Sequence, residues 1–288
     1  MAKPTKTTKS TKTTAKKSPA KKAPAKKAAA NKAPAKKTAA AANNKAATAP
    51  QGVSANMPMF YNDVVPLTSK AHGDLKVKER VDNISFAKVA NSIMLTAVEF
   101  PQAAQFYPVV FGVEAMDSLP FAVTGHTGGV NSFIDEDGNW RDGAYIPAYV
   151  RRYPFILMEN PQNKSFSLAV DPTSDLLSKK EGKPLFDKGE GTDIAKNILN
   201  LCAAYQKEFL KTKEVCKQIN ESGLLIERAA DVTLSDGKTT RVSGFRIVDE
   251  KAFNALDDKK FIELRKTGAL TLIYCHLWSM RTWDNLLG

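Results

Sequence analysis

The chain contains no hydrophobic run long enough to cross a membrane. Its longest apolar stretch, "ALTLIYCHLWSM", covers residues 269–280, about twelve residues where a membrane-spanning helix needs about 20. The N-terminal segment also lacks the apolar region of a secretory signal peptide. The sequence therefore predicts a cytoplasmic protein without a transmembrane segment. The alternative, a location at the cell surface, requires an export route that the sequence does not reveal.

Cysteine is scarce, and its spacing does not indicate a zinc site or a disulfide framework. The three cysteines include no CxxC pair, the spacing typical of structural zinc sites. Cys202 and Cys216 fall on one predicted helix, about 21 Å apart along its axis, whereas a disulfide needs Cα atoms within about 7 Å. We expect reduced, buried thiols, as in a cytoplasmic protein.

Familiar catalytic motifs are missing too. The sequence has no Walker loop, no Gly-x-Ser-x-Gly elbow and no Rossmann fingerprint, and "GHTGG" at 125–129 is interpreted as a hairpin turn. His72, His126 and His276 show no metal-binding spacing, so we predict no metal and no cofactor. We expect His276 to be a buried core histidine, because it and Cys275 are adjacent on a predicted helix and point apart. These observations favour a non-enzymatic protein but leave the question open.

Positive charge is confined to the N-terminus. Residues 1–50 hold fourteen lysines, no arginine and no acidic residue. The remaining residues carry 28 Lys+Arg against 30 Asp+Glu, out of totals of 42 and 30 for the whole chain. A folded domain that reads DNA normally carries a basic face. The charge distribution therefore argues against a nucleic-acid site in the body and assigns the basicity to the tail.

Residues 1–56 form a tail of lysine, alanine, proline and threonine that we predict to be disordered. "PAKK" occurs three times, its prolines prevent a long helix, and the segment has too little apolar surface to fold alone. The composition resembles histone-like tails, so we expect binding to nucleic acid or another polyanion. RNA, anionic lipid and a merely solubilising arm are the alternatives. The candidate polyanion-binding residues are Lys16, Lys17, Lys21, Lys22, Lys26, Lys27, Lys36 and Lys37.

Residues 57–288 are predicted to form one α+β domain. Short extended segments with Gly-rich turns fill the first half, one of them closed by Asp137-Gly138. A helix is predicted to begin at Thr192, with apolar residues at helical spacing from Ile194 to Ile219 and Gly223 as its stop. A β-hairpin follows around Asp236-Gly237, then helices at about 249–256, 258–267 and up to the C-terminus. Strands first and helices later is the α+β pattern. Whether translation starts at Met57 or Met59 is left open.

The stretch "YVRRYPF" contains the strongest candidate binding site of the body. Arg151 and Arg152 lie between aromatic residues, and the flanking prolines predict an extended backbone. Paired guanidinium groups beside aromatics can bind a carboxylate, phosphate or sugar acid. In the structural alternative, one arginine pairs with Glu99 or Glu114 and the other faces solvent.

Six stretches of the body together resemble the bacterial SapC family. The resemblance extends in order from Met59 to the C-terminus and leaves the tail out. It implies no catalytic residues, because the family has no established set, but it singles out Glu99, Tyr107, the Arg pair and Tyr153 as candidate ligand-binding residues. The stretches are "EFPQAAQFYPVVF" (99–111), "YIPAYVRRYPF" (145–155), "LFDKGEGT" (185–192), "SGLL" (222–225), "VSGFRIVDEKAFNAL" (242–256) and "GALTLIYCHLWSM" (268–280).

The sequence thus leads to one hypothesis with two alternatives. The hypothesis is a non-enzymatic SapC-like protein whose tail binds DNA or another polyanion and whose body binds an acidic small molecule or protein partner near Arg151 and Arg152. The family's name, which comes from an association with a paracrystalline surface layer, suggests a structural surface-layer component instead. The other alternative is an enzyme of unknown class with a cleft at the Arg pair. Ligand and oligomeric state are not specified by the sequence.

Overall fold

The computed structural model describes residues 57–78, 84–113, 116–159, 165–234 and 237–287. The tail, residues 1–56, lies outside the described residues, and so do Glu114 and Asp236. The predicted disorder of the tail and its lysine contacts therefore stay predictions. Within the described ranges, no helix is both long and apolar enough to span a membrane.

The body has the predicted α+β class, and its largest sheet has five antiparallel strands. The strands lie in the order β12, β13, β4, β5, β3. The hairpin predicted around Asp236-Gly237 is confirmed: β12 and β13 pair from Leu225 opposite Val248 to Thr233 opposite Thr239. The strands of this sheet are β3 (Ser92–Met94), β4 (Val109–Gly112), β5 (Pro120–Val123), β12 (Leu225–Thr233) and β13 (Thr239–Val248).

The remaining strands of the described ranges form three smaller sheets, and the strand that follows the Arg pair belongs to one of them. One has the order β1, β7, β6, another the order β8, β2, β9, and β10 pairs with β11. All of these pairings are antiparallel. Their strands are β1 (Val65–Pro66), β2 (Lys76–Val77), β6 (Phe155–Glu159), β7 (Phe166–Val170), β8 (Leu177–Ser178), β9 (Lys183–Pro184), β10 (Phe186–Asp187) and β11 (Glu190–Gly191).

Helices dominate the second half, as predicted. Among the described residues, 3-10 helices cover Ser85–Ala87, Ala97–Glu99 and Met280–Leu287. The α-helices are α1 (Ser69–His72), α2 (Phe100–Ala103), α3 (Ala148–Arg152), α4 (Asp193–Glu221), α5 (Glu250–Asn254), α6 (Asp258–Thr267) and α7 (Ala269–Ser279).

Helix α4 begins and ends where the sequence predicts. The hydroxyl of Thr192 accepts a hydrogen bond from the backbone N–H of Ala195, which satisfies one of the free donors at the helix start. Past the helix end, Gly223 adopts a φ of +75°, a left-handed conformation that glycine takes without strain. With 29 residues, α4 is about 44 Å long.

Because of that length, α4 contributes to three separate clusters of buried side chains. Cys202 packs with Phe155 in the cluster beside the small sheets. Tyr205 packs with Tyr149 in a second cluster. Further along, Ile219 belongs to the largest cluster, which lies against the five-stranded sheet. The helix therefore links the small sheets, the Arg pair and the main core. All three cysteines are free, with Cys202 and Cys216 buried and Cys275 half-buried.

One predicted strand is wrong. The segment closed by Asp137-Gly138 makes only a single antiparallel bridge, between Ile134 and Trp140. Its turn is held instead by the carboxylate of Asp135, which accepts from the backbone and side-chain N–H groups of Asn139. These local bonds compete with a strand ladder for the same backbone groups.

His276 is a core histidine, as predicted, and both of its ring nitrogens are satisfied. Nδ1 lies 2.6 Å from the carbonyl oxygen of Val109, and Nε2 accepts from the backbone N–H of Val248 at 3.0 Å. The ring is fully buried and bridges β4 and β13. Burial lowers the pKa of His276 from 6.5 to about 4, because the charged imidazolium would lose its hydration.

This burial predicts a loss of stability in mild acid. The pKa of His276 is lower in the folded chain, so the unfolded chain takes up the proton first as the pH falls from about 6.5 towards 4. The free energy of unfolding should drop by about 2 kcal/mol between pH 7 and pH 5. Urea unfolding measures this loss, and the ring resonance of His276 in NMR serves as the internal control. A ring that titrates above pH 6 in the folded protein would contradict the assignment.

Candidate functional site: an arginine pocket

Arg151 and Arg152 lie in a helix, so the predicted extended backbone is wrong. Helix α3 begins directly after Pro147 and ends before Tyr153, whose backbone is extended at φ −60° and ψ 137°. Besides its own backbone, a proline restricts the residue that precedes it and not those that follow. The restriction therefore falls on Tyr153, before Pro154, and leaves the Arg pair free to be helical. A cis peptide bond joins Tyr153 to Pro154.

The guanidinium group of Arg152 is buried in a cage of tyrosines. Its carbon lies 4.3 Å from the ring centres of both Tyr149 and Tyr205 and 5.9 Å from that of Tyr61. Only 7% of the arginine is exposed. Aromatic faces attract a cation through their quadrupole, so the rings offset part of the hydration that the guanidinium loses. Among the described residues, no carboxylate forms an ion pair with Arg152.

Two hydrogen-bond donors in this cage have no partner among the described residues. They are Nε of Arg152 and the hydroxyl of Tyr205, both buried. Buried polar groups in folded proteins are nearly always hydrogen-bonded, and each exception calls for an explanation. Because both groups can donate, the group that would complement them is an acceptor, such as a carboxylate or phosphate oxygen.

The cage also fixes the charge states of its members. Burial raises the pKa of Tyr61, Tyr149 and Tyr205, although the positive charge of Arg152 acts in the opposite direction. For Arg152, burial alone would lower the pKa, but the surrounding tyrosines hold it above its ordinary value. Arg152 is thus a permanent cation among neutral phenols. Burial likewise raises the pKa of the Cys202 thiol to about 11.

Arg151 is exposed, and two hydrogen bonds hold its guanidinium group in place. Its Nε donates to the carbonyl of Ile146 at 3.0 Å, and Nη2 donates to the hydroxyl of Tyr145 at 3.1 Å. That hydroxyl in turn donates to Oε1 of Glu99 at 2.9 Å. Burial and then Glu99 raise the pKa of Tyr145 to about 12, so the phenol stays a donor. The expected pairing of one arginine with Glu99 thus occurs through a tyrosine hydroxyl.

Glu99 is buried, and its hydrogen bonds give it a supporting position. Oε2 accepts from the backbone N–H of Thr96 at 2.7 Å and from its hydroxyl at 2.8 Å. Oε1 accepts from Tyr145 and from the backbone N–H of Ala148 at 2.7 Å, the first residue of α3. With four donors satisfied, the carboxylate fixes the start of the helix that carries the Arg pair.

Tyr107 is a fully buried core residue. Its hydroxyl donates to the carbonyl of Tyr145 and accepts from Nε1 of Trp140 at 3.1 Å. Tyr107 therefore positions the same loop as Glu99. Neither side chain lines the pocket described next. Both contact the backbone that leads into α3 instead.

A pocket of about 180 Å³ opens beside α3 and is called here the arginine pocket. It combines three cationic side chains, Lys78, Arg151 and Arg152, with an apolar wall, and no Asp, Glu or His is among the residues that line it. It is lined by Val77, Lys78, Arg151, Arg152, Tyr153, Pro154, Phe155, Leu176, Ile198 and Leu201.

The structure brings three of the five predicted ligand-binding residues together at the arginine pocket: Arg151, Arg152 and Tyr153. Lys78 was not predicted, because it lies 73 positions before Arg151 and no local pattern marks it. The cage tyrosines Tyr61 and Tyr205 were missed for the same reason. Tyr205 does have the helical spacing of a buried residue, but that spacing cannot show which side chain it faces.

One other cavity in the described ranges offers less to an acidic ligand. A second cavity, of about 140 Å³, lies against β4 and β13. Its lining carries no charged side chain, so it supplies no counter-charge to an anion. No group of three or more His, Cys, Asp or Glu residues that could hold a metal ion occurs in the part of the chain that the structure describes.

Comparison with known proteins settles the family. A family model described as SapC matches residues 67–286. The chain belongs to the SapC family. No curated protein and no solved structure matches it. Every residue of the arginine pocket lies inside the SapC match, and the lysine tail lies outside it.

The position of Glu99 in this SapC protein predicts the effect of one substitution. In Glu99→Gln, an amide nitrogen replaces one carboxylate oxygen and faces donors instead of accepting from them. Leaving buried donors unsatisfied costs about 1–3 kcal/mol, so the free energy of unfolding should fall by that amount. Urea unfolding measures the change, with the exposed Glu263→Gln as the matched control. An equal change in the free energy of unfolding for the two substitutions would contradict the view that Glu99 stabilises the start of α3.

Proposed function

We propose that this SapC protein is a non-enzymatic binding protein whose body takes an acidic ligand at the arginine pocket. The observation that carries the proposal is Arg152: a permanent cation, 7% exposed, caged by aromatic rings and without a carboxylate partner among the described residues. An arginine that serves only the fold normally pairs with a carboxylate when it is buried. Here the counter-charge comes from outside.

Two further observations support an acidic ligand. Arg151 and Lys78 add two cations to the same pocket, and pocket walls of low polarity strengthen the attraction between opposite charges. The absence of Asp, Glu and His from the lining favours binding over catalysis, because general acid–base chemistry uses those side chains most often. An enzyme with a cleft at the Arg pair is the alternative that activity assays address.

The first test is a substitution at the mouth of the pocket. Arg151 is exposed, so Arg151→Gln should fold normally while it removes one cation from the site. Hydrogen bonds to charged groups contribute about 1.5–3 kcal/mol, so binding of small anions such as acetate, benzoate or phosphate should weaken about ten- to a hundredfold. Isothermal titration calorimetry on the full-length chain gives the affinities.

The control for this test is Lys70→Gln, an exposed lysine outside the pocket. It removes the same charge and should leave the affinity for the anion unchanged. Equal weakening by Arg151→Gln and Lys70→Gln would show a general charge effect and would reject the pocket as the binding site.

We further propose that the lysine tail binds nucleic acid or another polyanion inside the cell. The support is the charge distribution: fourteen lysines and no acidic residue in residues 1–50, and a body with 28 basic against 30 acidic residues. The tail and the arginine pocket would then take ligands of different classes. A structural surface-layer protein is the alternative, and it predicts self-assembly and detection outside the cell.

A salt series tests the tail. Each lysine that contacts a DNA phosphate adds about 0.9 to the slope of log affinity against log salt concentration. The full-length chain should therefore bind duplex DNA with a steep slope. A variant with Lys→Gln at the eight candidate tail positions should bind more weakly and with a shallower slope. Equal binding by the two proteins would place the nucleic-acid site in the body, and no binding at physiological salt would favour the surface-layer alternative.

A further inference from the structure

We infer that the ligand of the arginine pocket is a small monocarboxylic acid with a compact apolar body of about the size of one aromatic ring. This inference rests on the proposed function and narrows it. It sets the pocket apart from the tail, whose lysines suit polyanions.

The wall of the pocket is mostly apolar, which favours a ligand with an apolar body. Beyond the three cations and Tyr153, all six remaining lining residues are apolar, and they come from β2, the start of β6, the residue before β8 and the face of α4. A ligand made only of charged groups, such as inorganic phosphate, would leave this surface unused, whereas apolar atoms of a ligand would be removed from water there. The six are Val77, Pro154, Phe155, Leu176, Ile198 and Leu201.

The volume of the pocket limits the size of the ligand. The arginine pocket measures about 180 Å³, and a protein cavity of about 150 Å³ accommodates benzene. The pocket thus takes one ring, or a chain of similar volume, with a carboxylate attached. A whole nucleotide exceeds this volume and would place only part of itself in the pocket.

The arrangement of cations and donors favours a carboxylate as the head group. A guanidinium presents its N–H groups in a planar fork that matches the two oxygens of a carboxylate. Arg152 is fixed by its tyrosine cage, and Arg151 is fixed by Ile146 and Tyr145. Both guanidinium groups are therefore oriented before the ligand arrives, which lowers the entropy cost of binding.

The deciding experiment compares four probes on the full-length chain at constant ionic strength. Benzoate has both features, acetate only the charge, benzyl alcohol only the ring, and phosphate more charge without the ring. Isothermal titration calorimetry should show benzoate binding at least tenfold more tightly than each of the other three. Because this comparison needs no variant, it does not depend on how a substitution affects folding.

A substitution in the apolar wall separates the contribution of the ligand's ring to binding from the contribution of its charge. Ile198→Ala removes apolar atoms from the lining and should weaken benzoate binding about tenfold, while acetate binding stays the same. Leu199→Ala, on the same helix but exposed and outside the pocket, is the matched control and should change neither. Equal benzoate binding by the two variants would overturn the inference.

The outcomes distinguish this inference from the proposed function. If phosphate or acetate binds as tightly as benzoate and Arg151→Gln weakens that binding, the pocket takes acidic ligands and only the monocarboxylic acid is wrong. If Arg151→Gln changes the binding of none of the anions, both the inference and the proposed function fail.

Discussion

The carboxylate of Glu99 is the interaction on which the candidate site depends. It closes the 3-10 helix Ala97–Glu99 through Thr96, holds the backbone N–H of Ala148 at the start of α3, and reaches Arg151 through the hydroxyl of Tyr145. The same 3-10 helix is tied to α4 by the hydroxyl of Thr212, which accepts from the backbone N–H of Ala97. One buried anion thus fixes both this 3-10 helix and the start of α3, the helix that carries the two arginines. Four strong hydrogen bonds repay the loss of hydration that burial of a carboxylate entails.

The positively charged side chains occur in two different arrangements, in the tail and in the body. The tail lysines are numerous and closely spaced along the sequence, and this is the pattern on which the proposed polyanion binding rests. Arg152 is a single charge, fixed between the rings of Tyr149 and Tyr205. A flexible lysine tolerates many geometries of its partner, whereas a caged guanidinium accepts few. If both proposed sites bind, the tail should therefore be less selective than the arginine pocket.

The sequence predicts those features that depend on neighbouring residues and misses those that depend on contacts between distant segments. Helix α4 was predicted from Thr192 to Gly223 because its start, its apolar spacing and its stop are all local. The hairpin of β12 and β13 was predicted for the same reason. The helical state of Arg151 and Arg152 was missed because the flanking prolines were taken to restrict residues that they do not precede. Lys78 and Tyr205 could not be predicted, since their proximity to Arg152 depends on how distant segments pack.

The tyrosine cage explains how Arg152 can be buried without an anionic partner among the described residues. A carboxylate partner would cancel the charge of Arg152, as ion pairs in protein interiors do. Burial holds the pKa of Tyr61, Tyr149 and Tyr205 above the ordinary value, so none of these rings becomes a phenolate that could take that partner's place. Their faces stabilise the guanidinium by quadrupole attraction, and Tyr149 also shares a side-chain hydrogen bond with it. Neither interaction removes its formal charge. Among the described residues, Arg152 is thus a buried cation that aromatic rings stabilise in place of a carboxylate.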